Sequence, residues 1–114
     1  MLYRGLFLLM FGMPLVGFSQ TPKVDPCKIY GNIYIETVNK SLANYRVFIE
    51  ENESFADLVV FKQKSRLFAD RVGQWNFVSD KSFADFIIYF EDVKGFANFS
   101  IYYTEQEGFA GCKQ

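Results

Sequence analysis

The sequence predicts an all-β protein, a single small domain built from about six 13-residue strand-plus-turn repeats. Three observations predict it. The segments SFADLVVF (54–61) and SFADFIIYF (82–90) are near copies of one another. The alanines of that shared word, Ala43, Ala56, Ala69, Ala84, Ala97 and Ala110, recur at spacings of 13, 13, 15, 13 and 13. Between them lie short β-branched and aromatic runs bounded by turn residues, which is how strands read in a sequence.

The strands follow in order. IYGNIYIET (29–37) comes first, then YRVFIE (45–50), LVVFKQ (58–63), WNFVS (75–79), FIIYFE (86–91) and FSIYYT (99–104). Runs such as FIIYF are apolar on both faces, which suits a strand covered on both sides. Each turn opens on a charged residue: Lys40, Glu53, Arg66, Lys81, Lys94 or Glu107. A Ser, Leu or Gly follows, then an aromatic residue or Leu, then Ala, then Asp, Asn or Gly. Gly95 and Gly108 stand where other units have Ser41, Ser54 and Ser82. That slot is expected to need either an unusual backbone angle or a hydroxyl. Ser-x-x-Asp is also the word that opens a helix. Consecutive β-branched and aromatic residues are poor helix material, however, and 13 residues leave no room for a strand and a helix together. The third unit is two residues longer, within RVGQWN (71–76), and reads as a bulge or a widened loop beside Gly73.

The N-terminus has another character. Arg4 precedes an apolar run from Gly5 to Phe18, interrupted by Gly12 and Pro14. A charged start, a short apolar stretch and the small residues Gly17 and Ser19 describe a signal peptide over 1–19. A cut after Gln20 is nearly as good, and a buried or anchoring helix is the alternative. The remaining organisation is an N-terminal segment, 20–28, and the repetitive all-β domain, 29–112. With Arg4 removed, eleven basic side chains face 13 acidic ones and no basic block remains, which argues against nucleic acid. No second long apolar run follows, so no membrane span is expected in the mature chain. The expected destination is the secreted fraction or the periplasm.

Cys27 and Cys112 are the two cysteines, and they bracket the repeats. In an oxidising compartment such a pair most often forms a disulfide, with two unpaired thiols as the alternative. A loop of that length would stabilise by about 4–5 kcal/mol in the chain-entropy model.

Little in the chain points to chemistry. There is no histidine, so Ser–His and Cys–His pairs are excluded. No phosphate loop, zinc signature or calcium loop is present, and no cofactor is expected. The repeated acids Asp57, Asp70 and Asp85 share their slot with Asn44, Asn98 and Gly111. A charge-dependent ring of ligands would not tolerate Asn and Gly there, so a local Asx-type turn bond is the better reading. The acidic stretch EENE (50–53) reads as a solvated turn. Three sequons, at Asn39, Asn52 and Asn98, fall in or beside turns as by-products of the repeat. The candidate binding residues are aromatic: Trp75 in the irregular unit, with Tyr89, Tyr102 and Tyr103, placed to stack on a sugar or a partner protein.

The repeated [S/G]-[F/L]-A-[D/N] turns and the VF, YF and YY pairs of the strands resemble the septoil-knot domain family, over about Cys27 to Cys112. The resemblance implies an all-β domain whose backbone forms a seven-crossing torus knot, and it implies no activity. The longer first unit and the two-residue insertion near Gly73 and Gln74 depart from the regular period. Close chain crossings would explain the alanines, since overpacking costs about 1–3 kcal/mol per site. Ala56→Leu and Ala84→Leu are therefore expected to be badly tolerated. The functional expectation is a small exported binding or structural domain that recognises a protein or glycan. The alternative is an exported hydrolase using two carboxylates.

Overall fold

The computed structural model describes residues 24–112, so the expected signal peptide at 1–19 lies outside the described residues. Seven strands follow in order: β1 (Gly31–Ile35), β2 (Tyr45–Ile49), β3 (Leu58–Lys62), β4 (Gln74–Phe77), β5 (Phe86–Phe90), β6 (Phe99–Tyr103) and β7 (Gly111–Cys112). A single 3₁₀ turn of three residues precedes each strand. The domain is all-β, with the strand-plus-turn repeat expected.

The strand order is β4-β1-β5-β2-β6-β3, and β3 also pairs with β4, which closes a six-stranded barrel. All six barrel pairings are parallel. Parallel neighbours ordinarily need crossovers of a dozen residues or more, yet these units hold only 13. The register explains the economy. Ile35 at the end of β1 and Tyr45 at the start of β2 both pair with Ile88 of β5. Ile49 and Leu58 both pair with Ile101, Phe77 and Phe86 with Ile33, and Phe90 and Phe99 with Val47. At these four connections the new strand thus begins level with the end of the last, and the connection only steps sideways over one strand. Followed once round the barrel, the pairing returns to β1 displaced by twelve residues, a steep stagger of two residues per strand.

The four pivots Ile33, Val47, Ile88 and Ile101 are fully buried. With Ile29, Leu58, Val60, Trp75 and Phe99 they form the core. Burying each pivot contributes about 1.5–3 kcal/mol.

The order also accounts for the broken period. β1, β2 and β3 occupy alternate places round the barrel, and β5 and β6 fill the gaps between them. A further two-strand step from β3 would put β4 where β1 already lies. The longer third unit instead moves the chain one strand over, so β4 pairs directly with β3 and the second winding interleaves with the first. This double winding is compatible with the torus path that the resemblance implies. β7 then lies antiparallel on the first half of the β3 edge that β4 occupies further along. Cys112 in β7 is joined to Cys27 by a disulfide, with Cα atoms 5.2 Å apart.

The turns are built from local caps. Asn39, Asn52 and Asp80 accept hydrogen bonds from both the backbone N–H and the hydroxyl of Ser41, Ser54 and Ser82. The turns with Gly95 and Gly108 begin at Val93 and Gln106, which make no side-chain cap. Neither glycine has a positive φ. The slot therefore takes a hydroxyl where an Asn or Asp cap stands two residues earlier, takes Leu67 where the cap is Ser65, and needs no unusual angle where there is no cap. Asn39 and Asn52 of two sequons are these caps. The alanines lie where crowding was expected: Ala56 and Ala69 are buried, and Ala84 is half-buried.

Candidate functional site

Two sets of repeated polar residues hold the barrel together. The Asx slot clamps the neighbouring strand. Asn44 Oδ1 accepts from Ile87 N–H at 2.7 Å, Asp57 Oδ2 from Ser100 at 3.0 Å, Asp85 Oδ2 from Asn32 at 2.8 Å and Asn98 Oδ1 from Arg46 at 2.7 Å. The same four residues donate their own N–H to the carbonyl of the residue they clamp. The expected local Asx turn is thus corrected: these side chains reach across 43 to 53 residues of sequence. An amide oxygen serves as well as a carboxylate, which is why Asn and Asp interchange.

The second set is an ion-pair code. Each turn that skips a strand packs over it, and its leading residue meets the residue just past that strand's end. Lys81 pairs with Glu36 at 3.2 Å, Lys40 with Glu91 at 3.7 Å, and Lys94 with Glu50 directly. Where the turn leads with Glu53 or Glu107 instead, the crossed strand ends in Thr104 or Gln63, so like charges do not meet. Glu36 and Glu91 are buried, and Glu50 has a nearly buried side chain. The solvated reading of EENE (50–53) is therefore corrected at Glu50. The backbone N–H groups of Asn39 and Val38 hold Glu36 below the ordinary carboxylate range; burial opposes them and Lys81 assists.

The aromatic candidates do not converge. Trp75 was expected at the surface, but it is 0 % exposed, and its Nε1–H donates to Ile29 O at 3.0 Å. It fills the core where the third unit shifts the chain, with its ring against the edge of Phe77. Tyr103 lies on the inward face of β6 against Phe77, and Lys62 Nζ stands 4.3 Å above its ring. Burial pushes the Tyr103 hydroxyl well above its ordinary pKa. Tyr89 and Tyr102 are half-buried on the outer face of β5 and β6, strands that β2 separates.

The irregular unit does form a site, from other residues. No strand is skipped between β3 and β4, so Arg66 has no strand end beneath it and reaches Asp85 at 3.2 Å instead. Asp70 is separated from β4 by the added residues and clamps no strand. Between them opens a cleft of about 530 Å³, lined by Lys28, Tyr30, Arg66, Asp70, Asp85 and Phe86, with the small residues Gly31 and Ala69 completing the wall. Gly31 has φ +106°, and a β-carbon there would come 2.5 Å from Asp85 Oδ2. The glycine thus lets the carboxylate reach the Asn32 N–H. Burial raises the Asp85 pKa, but the Asn32 N–H and Arg66 outweigh it and hold the group below its ordinary range. The side chains of Lys28, Tyr30 and Asp70 make no hydrogen bond or ion pair among the described residues. Lys28 and Tyr30 belong to the turn before β1, where Ile29-Tyr30 stands in place of the repeated Ala-Asx word, so the pattern does not mark them. The legible signal was in the third turn, where Leu67 fills a slot that is Ser or Gly in the others.

Among the described residues no helix is long and apolar enough to cross a membrane. The disulfide is consistent with an oxidising environment. No curated protein matches the chain. Residues 26–113 match the model of the 7(1) septoil knot domain, a span that takes in every strand of the barrel, and the chain belongs to that family.

Proposed function

We propose that this protein is a small exported binding domain of the cell envelope or secreted fraction, that it acts without catalysis, and that its ligand seats in the cleft of the third unit. One observation carries the reading. Elsewhere in the barrel the repeated charged and Asx side chains lock turns and clamp strands, whereas the side-chain polar groups of Lys28, Tyr30 and Asp70 make no bond among the described residues and line one cleft. Polar groups that stabilise nothing are free to meet a ligand. The disulfide adds the rigidity that an exported domain of this size needs.

The test is affinity capture from the envelope and secreted fractions of the protein's own host, with Lys28→Ala and Tyr89→Ala proteins beside the unmodified one. The reading expects a retained component that is lost with Lys28→Ala and kept with Tyr89→Ala. Retention that ignores Lys28→Ala would overturn the placement of the site.

The second reading, an exported hydrolase using two carboxylates, is favoured by one observation: Asp70 and Asp85 line the same cleft. It is the weaker one. A general acid needs a raised pKa, and Asp85 is held low with its oxygens committed to Asn32 and Arg66.

A further inference from the structure

We propose that the cleft is a carbohydrate subsite, which takes a short neutral sugar chain with one ring stacked on Tyr30. This rests on reading the cleft as a binding site and names its ligand class. The volume of about 530 Å³ falls within the range of small-ligand sites. The charges lining it cancel: Lys28 and Arg66 stand against Asp70 and Asp85. A phosphate or polyanion would meet no net attraction there. A sugar hydroxyl donates and accepts at once, so it can bridge a carboxylate that only accepts and an ammonium that only donates. Asp70 and Lys28 supply one of each, both without partners among the described residues.

The aromatic component is Tyr30. It is 41 % exposed and lines the cleft, and a tyrosine ring joins a flat apolar face to a polar tip, the combination that suits the C–H face of a pyranose. Gly31 and Ala69 contribute at most a methyl group, so a ring can lie low against the wall.

A comparison inside the molecule supports the choice. A second cleft, of about 440 Å³, has an equivalent place in the repeat and is lined by Lys40, Asn44, Tyr45, Arg46 and Asn98. There Lys40 and Arg46 pair with Glu91, Asn44 and Asn98 are strand clamps, and Tyr45 packs against the core. In the first cleft Asp70, in the slot that Asn44 fills here, is left unengaged beside the exposed ring of Tyr30.

The experiment is an amide chemical-shift titration of the exported, disulfide-closed, isotope-labelled protein. The probes are maltotriose, cellotriose and triacetylchitotriose, each alone, with trigalacturonate and inorganic phosphate as charged controls. At least one neutral trisaccharide is expected to give saturable shifts at residues 28–31 and 66–70. Tyr30→Ala is expected to weaken that binding about tenfold or more, and Tyr30→Phe to preserve it. Melting temperature should not change in Tyr30→Phe, because the Tyr30 hydroxyl bonds no other group among the described residues. Absence of shifts with all three sugars would overturn the proposal, as would shifts with the charged controls alone. A captured protein that depends on Lys28, together with no sugar binding, would overturn the carbohydrate assignment and leave the binding reading standing. Failure of capture and titration together would remove both.

Discussion

Gly73 lies against the backbone of Gly111, so close that a β-carbon on Gly73 would come 2.5 Å from the Gly111 nitrogen and 2.5 Å from Val59 O. The contact sits where β7 leaves the β3 edge and β4 takes it over. It marks the single-strand step that offsets the second winding from the first. Gly73 also has φ +83°, where a side chain is strained whatever the space. Gly73→Ala is therefore expected to destabilise by at least about 1–3 kcal/mol. Denaturant unfolding measures it, and an unchanged midpoint would show that the junction tolerates a wider spacing.

Trp75 separates core from surface. Trp75→Ala removes the largest fully buried side chain and its bond to Ile29 O, so a loss of about 3–5 kcal/mol is expected. Native fluorescence should be blue-shifted and resist quenching by acrylamide, then shift to the red on unfolding. Efficient quenching in the native state would return Trp75 to the surface.

The clamps and the unengaged acid make an internal control. Asp57→Ala leaves the Ser100 N–H without its side-chain acceptor, and about 1–3 kcal/mol is the expected cost. Asp70→Ala, in the same slot of the irregular unit, is expected to stay within about 0.5 kcal/mol. Equal costs in the two unfolding curves would contradict the division between structural and unengaged acids.

Acid should loosen the barrel. Glu36, Asp80 and Asp85 have native pKa values below their ordinary ones. The native state then binds these protons more weakly than the unfolded chain does. The stability they contribute is present above the ordinary carboxylate range of about pH 4 and is lost as pH falls through the native values. Melting temperature followed from pH 6 to pH 2 should drop through that window. Glu36→Gln should flatten the drop, because its amide oxygen still accepts from Val38 and Asn39 but no longer titrates.

The sequence made much of this fold legible, and the limits have physical causes. The 13-residue recurrence of alanine revealed the units, their turns and the break in the third. Strand direction and order were not readable, because a run such as FIIYF pairs equally well either way and its partners lie more than forty residues off. The acids in the Asx slot were recognised as structural from their exchange with Asn, but their partners are set by strand order, so a local bond was inferred in place of a distant one. The cleft was hidden for the same reason: Lys28 and Tyr30 lie in a first turn that lacks the repeated Ala-Asx word, and they meet Asp70 only through the barrel. Trp75 misled because it shares the irregular unit with that cleft but faces the opposite way, into the core.

The placement of the binding site is tested most directly by amide hydrogen exchange, with and without the material that the protein retains from its host's envelope and secreted fractions. The account predicts added protection at residues 28–31 and 66–70, where Lys28, Tyr30, Arg66 and Asp70 line the cleft. Protection confined to the outer faces of β5 and β6, around Tyr89 and Tyr102, with the cleft unchanged, would contradict it.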